Sequence, residues 1–271
     1  MRLRLIEPHY SSLLFHRCHA KRLIIKCPAV RADFQPRTGI DFNDGVRLIS
    51  LSSDMRLIIS DEVRSRFPDL HVLLKRIDDL RVREKLEKLE RFKLEVYERV
   101  RSRFSLDSLK DDPIMRAYRD FFWRIGIDPT KIRPASEALI RRILGGKDLP
   151  TINTLVDAYN LASVESRIAL AAFDADKLEG EELIMRFARS GEEFLGIGMN
   201  KPKKLGGEEI VVADSKRLIA IYPYRDADYS KVTLETSSIY LMTCGVPGIS
   251  LEDLERAEDL ATQYIMRFCR E

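Results

Sequence analysis

The amino-acid sequence predicts an α+β domain: helices packed on a mainly antiparallel sheet, with one helix closing the chain. Three observations carry that expectation. Between residues 81 and 164, apolar side chains recur at steps of three and four, the helical period. From Glu181 onward the apolar runs are short, β-branched or aromatic, and separated by Gly, Asp and Ser turns. Finally, Ser250-Leu251-Glu252-Asp253 has the form of a capping box and opens an amphipathic stretch to about Phe268.

The elements follow in order. Residues 1–54 are basic, weakly periodic and contain three of the four histidines. They read as an extension, either poorly ordered or lying upstream of the true start, before a domain spanning 55–271. Residues 55–60 (MRLIIS) form a short strand, and 61–70 (DEVRSRFPDL) a brief helix closed by Pro68. A second strand covers 71–77. A long helix over 81–104 follows, with Val82, Leu86, Leu89, Phe92, Val96 and Val100 on its apolar face. Its Lys-, Arg- and Glu-rich opposite face reads as a solvated surface with i,i+4 ion pairs, with phosphate binding as the alternative. Residues 113–125 place Met115, Tyr118, Phe122 and Trp123 near one stripe. The helix over 134–144 opens at Pro134 and stops at Gly145-Gly146. A further helix over 151–164 runs into a strand-like segment ending at Phe173-Asp174-Ala175-Asp176. The runs EELIMRFA, EEIVVAD, RLIAIYPY and SSIYLMTC supply the remaining strands.

Composition narrows the function. The chain has 271 residues, of which 33% are charged, yet its net charge is only +3, so an RNA footprint has to be a local patch rather than a global field. Abundant mixed charge and only two glutamines, Gln35 and Gln263, are the pattern of heat-adapted cytosolic proteins. We therefore expect a cytoplasmic protein. No run approaches the roughly 20 apolar residues that span a bilayer. The four cysteines form no CxxC pair, and the spacing of His16, Cys18, His19 and Cys27 matches no standard zinc site, so no metal is expected. Nucleotide, hydrolase, metalloprotease and kinase signatures are all absent, and no cofactor is expected. With His71 the only histidine after Met55, a Ser-His-Asp or Cys-His arrangement has no histidine to use.

Three sets of polar residues remain. Asn160, Ser163 and Asp174 lie on or just after an apolar helix. Asn160 either ties that helix to a neighbouring backbone or contacts a ligand, and Asp174 and Asp176 either cap a turn or line a site. Arg225, Asp226 and Asp228 directly follow an apolar strand. An arginine flanked by carboxylates suits the rim of a pocket for an amine and a carboxyl or phosphate, and equally an ordinary loop with local ion pairs. Arg133, Arg141 and Arg142 lie on or beside one helix, placed for phosphate contact or for complementing the helix C-terminus.

An ordered series of motifs resembles the B3/B4 editing module of the phenylalanyl-tRNA synthetase beta subunit, and still more its freestanding relatives. The series runs Tyr118 to Pro129, Arg133-Pro134-Ala135-Ser136-Glu137-Ala138-Leu139 and Arg141-Arg142. It continues with Leu155-Val156-Asp157-Ala158-Tyr159-Asn160 and Ala172-Phe173-Asp174-Ala175-Asp176-Lys177-Leu178-Glu179-Gly180. Ala188 to Glu192 and Val211-Val212-Ala213-Asp214 complete it. The match covers about 55–271. It implies a pocket admitting a misacylated aminoacyl-adenosine, with tRNA as partner through its aminoacylated acceptor end. Asn160, Ser163, Phe173, Asp174, Arg225, Asp226 and Asp228 would line that pocket, and Arg133, Arg141 and Arg142 would meet RNA. Ester hydrolysis there needs no protein nucleophile: a water held by backbone donors and the terminal ribose hydroxyls suffices. Ala171 stands where the synthetase has a histidine and Pro150 where it has an arginine, so a non-catalytic tRNA or amino-acid binding module is the alternative. The ligase's adenylate-forming, anticodon-recognition and assembly modules have no counterpart in the matched residues, so the resemblance does not imply a complete ligase.

Overall fold

A computed structural model describes residues 54–270. The extension read over 1–54, including the His16, Cys18, His19 and Cys27 set, falls outside them apart from Asp54. The first elements are β1 (Arg56–Ile59), α1 (Asp61–Arg66) and β2 (Val72–Ile77). A helical region follows: α2 (Glu87–Arg103), α3 (Leu106–Leu109), α4 (Pro113–Arg124), α5 (Ala135–Leu144) and α6 (Thr154–Ser166). Then come β3 (Ala169–Asp174), β4 (Glu182–Phe187), β5 (Glu193–Phe194), β6 (Lys203–Lys204), β7 (Ile210–Ala213), β8 (Leu218–Ile221), β9 (Arg225–Asp226) and β10 (Ile239–Cys244). Helix α7 (Leu251–Cys269) closes the chain. The expected α+β order holds.

Two helices begin later than the sequence period suggests. Residues 81–86 carry apolar side chains at helical spacing, but their backbone is engaged elsewhere. The Arg81 N–H donates to Cys269 O (2.6 Å), and Arg83 exchanges bonds with Thr154 through the threonine Oγ1 (3.0 Å) and N–H (2.8 Å). Helix α2 therefore starts at Glu87, with Leu86 extended in the preceding position. The start of α6 is set by Asn153, whose side chain accepts from the Leu155 and Val156 N–H groups. At α7 the Ser250 hydroxyl accepts from the Asp253 N–H (3.1 Å), so the cap expected there forms.

The strands make three sheets. The largest has the order β1-β4-β7-β8-β9, antiparallel except for the parallel β1–β4 pair. A second, β2-β10-β3, is wholly antiparallel and forms the middle layer. Every residue of β3 and β10 is buried. Alternation explains why: Leu170, Ala172, Ile239 and Leu241 pack on a helical core with α2, α5, α6 and α7. Ala169, Ala171, Phe173, Met242 and Cys244 face the opposite core, with α1, α4 and the large sheet. The third sheet is the short β5–β6 hairpin.

The helical core encloses a buried ion pair between α2 and α6. Lys93 of α2 donates to Asp157 of α6 (2.7 Å) and Glu90 (2.6 Å), and Asp157 also accepts from the Ile152 N–H (3.0 Å). Burial opposes the lysine's charge, but the bonds to Asp157 and Glu90 outweigh it and raise its pKa. We expect Lys93→Met to lower unfolding free energy in urea titrations by about 3–5 kcal/mol, because Asp157 is left buried without its cation. The double change Lys93→Met with Asp157→Leu should recover more than half of that loss.

A candidate functional site between two sheets

The middle sheet and the large sheet do not close on each other everywhere. On the facing surfaces stand alanines: Ala169 and Ala171 on β3, and Ala220 on β8. Small side chains at these positions leave a cavity of about 110 Å³. Phe173, Met242 and Cys244 complete one wall, the segment from Ile221 to Asp226 forms the other, and Ala135 reaches it from the start of α5. Two buried tyrosines brace the surround. The Tyr118 hydroxyl donates to Cys244 O and accepts from the Ala169 N–H (2.9 Å), joining the ends of β10 and β3. The Tyr222 hydroxyl donates to Gly245 O.

Arg225 and Asp226, left between pocket rim and loop by the sequence, form the edge strand β9 against Ile221 and Ala220 of β8. The loop after β5 locks them. Arg225 Nη1 donates to Ile197 O (2.9 Å), and the Ile197 N–H donates to Asp226 O (2.9 Å). Gly196 permits this approach, since a Cβ there would lie 2.5 Å from Arg225 Cδ. Asp226 is half-buried on the cavity wall. Burial pushes its carboxyl up to about 7, against the opposing pull of the Arg225 guanidinium. Burial, with the Asp226 charge nearby, also holds the Cys244 thiol well above its ordinary range and keeps it protonated.

Of the residues singled out in the sequence, the structure brings Phe173, Arg225 and Asp226 together at this cavity. The others stand elsewhere. Ser163 donates to Ile168 O (2.6 Å), pinning the end of α6 to the start of β3. Asp174 accepts from the Asp176 N–H (3.1 Å) and the Thr236 hydroxyl (2.7 Å) and pairs with Lys177 (3.3 Å). Asp228 pairs with Lys231 (2.8 Å). Asn160 is half-buried on α6 and lies outside the cavity wall, while its neighbour Tyr159 is close enough to feel the Asp226 charge. Arg133 and Arg141 line an open groove beside α4, and Arg142 donates to Asp148 O. Ala171, marked in the sequence as standing where the synthetase has a histidine, lines the cavity, whereas Tyr222, Met242 and Cys244 were missed as wall residues. For Met242 and Cys244 the one signal was the two-residue alternation of SSIYLMTC, which marks a face but not what lies opposite it.

Comparison with known proteins then places the chain. The model of the B3/4 domain matches residues 117–271, more than half of it. The chain belongs to the B3/4 domain family. It is similar to the phenylalanine–tRNA ligase beta subunit of Wolbachia sp. subsp. Brugia malayi, with 32% identity over 120 residues, 44% of this chain and 15% of the relative. The beta subunit of Carboxydothermus hydrogenoformans is 29% identical over 144 residues, 53% of this chain and 18% of that one. The chain thus spans under a fifth of the length of these curated relatives. Among solved structures, an N-terminal fragment of the Pyrococcus horikoshii phenylalanyl-tRNA synthetase beta subunit aligns with TM-score 0.43 and 12% identity, over 80% of this chain and 49% of the fragment.

Within this B3/4 domain the motif carboxylates are anchors. Asp157 holds Lys93. Asp214 accepts from the Lys216 and Arg217 N–H groups (2.8 Å each) and from the Tyr229 hydroxyl (2.9 Å). Burial raises the Asp157 carboxyl as well, against the pull of Lys93, but Asp226 has no such buried cation and is held above its unfolded pKa, at about 7. A group of that kind contributes most to stability below the unfolded value of about 3.9, and its contribution falls as pH rises to about 7. Asp226→Asn should therefore raise thermal stability at pH 8 by on the order of 1–3 kcal/mol, allowing for its partial exposure. At pH 4 thermal melts should find variant and parent nearly equal.

Proposed function

We propose that this B3/4 domain binds the aminoacylated acceptor end of tRNA and hydrolyses the ester of mischarged species in trans. The single observation that supports this most is a cavity whose one ionisable carboxyl titrates at about 7. A general base works best with a pKa near the operating pH, where enough of it is ionised and it still has the strength to accept a proton. Half-ionised Asp226 meets that condition. In the proposed reaction Asp226 takes a proton from a water, whose oxygen adds to the ester carbonyl carbon. The tetrahedral intermediate expels the ribose oxygen, which recovers the proton from Asp226. Arg225, beside Asp226 on the cavity wall, balances the charge that develops. Among the cavity residues Cys244 is a nucleophile in type, but its raised pKa keeps it as the unreactive thiol, so water is the attacking group.

The volume also bears on which amino acid enters. An engineered cavity of roughly 150 Å³ admits benzene. At about 110 Å³ this one favours a small aliphatic side chain over a phenyl ring. Ala171 supports the space, because a histidine there would occupy part of it. The alternative, a module that binds charged tRNA without turnover, draws on the same cavity and on Asn160, whose side chain has no hydrogen-bond partner among the described residues.

A panel of tRNAs carrying different amino acids tests the reading. We expect hydrolysis of at least one ester with a small aliphatic side chain, at a rate that rises through pH 7 and levels above it as Asp226 ionises. Asp226→Asn should lower that rate about 100-fold or more while leaving the fold intact. Binding of every charged tRNA without release of amino acid from any would favour the non-catalytic module.

A further inference from the structure

Helix α4 presents an unusual face to solvent. Trp123 is the only tryptophan of the chain, and it stands 57% exposed in an open groove. Large indoles are rarely left so bare without a partner. The same groove is lined by Lys110, Arg116, Arg119, Arg133 and Arg141, against the acids Asp111 and Asp120. These five cations fall into two classes. Arg119 and Arg141 are committed to the buried Glu137 carboxylate. Lys110, Arg116 and Arg133 carry no ion pair or side-chain hydrogen bond among the described residues, and all three are exposed. Arg116 and Trp123 are seven residues apart on α4, on one face and about 10 Å from each other along the axis.

We infer that this groove holds a stretch of single-stranded RNA, with phosphates on Lys110, Arg116 and Arg133 and a base stacked on Trp123. Free cations beside an exposed aromatic ring are the pairing that sequence-tolerant single-strand binding uses: charge follows the backbone, and any base has a face to stack. An acidic peptide would satisfy the cations but offers a flat group only where it carries an aromatic residue, whereas every nucleotide brings one. The groove also leads to the right place. Arg133 lines it, and Ala135, two residues on, lines the cavity. Lys110 and Arg116 precede residues 117–271, so the family match does not account for them. The inference rests on the tRNA reading for its choice of nucleic acid, but not on any catalysis in the cavity.

Trp123 makes the test direct. Its intrinsic fluorescence should be quenched on titration of the full protein with a single-stranded RNA of about six nucleotides, and affinity should fall steeply with salt. Trp123→Ala, followed by anisotropy of a labelled RNA, should weaken binding about 5- to 100-fold with an unchanged melting curve. Arg116→Ala with Arg133→Ala should lower the slope of log affinity against log salt by about 1.4, two phosphates at roughly 0.7 each. Unaltered fluorescence in a protein that still cleaves charged tRNA would overturn the groove and spare the cavity. Equal quenching by polyglutamate, or affinity indifferent to Trp123→Ala, would overturn it as well.

Discussion

Glu137 is fully buried in the first turn of α5, and two arginines meet it there. Arg119 reaches across from α4 and donates from both Nε and a terminal nitrogen, while Arg141 donates from one turn further along α5. Burial opposes the charge, yet these hydrogen bonds outweigh it and hold the carboxyl below its ordinary pKa. An ion enclosed in this way is costly to leave unpaired, on the order of 3–5 kcal/mol. The clamp therefore fixes α4 against the start of α5. The groove and one edge of the cavity both depend on that junction, since Trp123 and Arg116 ride on α4 and Arg133 and Ala135 flank the beginning of α5.

The residues by which the chain resembles its family are largely those that hold it together. Asp157 neutralises a buried lysine, Asp174 ties the turn after β3 to Thr236, and Asp214 closes the turn between β7 and β8. Each carboxylate is buried and satisfied. Such positions are easily read in a sequence because few other side chains can accept several backbone and side-chain donors at once. The proposed chemistry lies next to them. Asp226 has the neighbours to be positioned but not to be fully stabilised, and a carboxyl in that condition is available to exchange a proton.

That condition sets stability against reactivity at one residue. The walls that raise the Asp226 pKa are the same alanines and buried strands that leave the cavity open. Filling the space with larger side chains would improve packing and remove the site. The β5–β6 hairpin carries the cost of holding Arg225 and Asp226 in place through backbone bonds, with Gly196 allowing the close approach.

Much of the fold was legible in the sequence because burial imposes a period. The three- and four-residue steps of α4 and α5, the alternation in β10, and the serine cap of α7 each depend on local geometry alone. The delayed start of α2 was not legible, since Arg81 and Arg83 find hydrogen-bond partners far along the chain, at Cys269 and Thr154. The same limit governs the site. The sequence by itself determined that Phe173 lies near the end of an apolar strand, that Arg225 and Asp226 follow one, and that the arginines near α5 lie on or beside one helix. Only the tertiary structure decided that two sheets meet over small residues, that Arg141 serves Glu137 while Arg133 carries no ion pair among the described residues, and that Asp226 lies on a cavity wall while Asp174 bonds Thr236. A charge's surroundings are built from segments scores of residues apart, and no local pattern records how they meet.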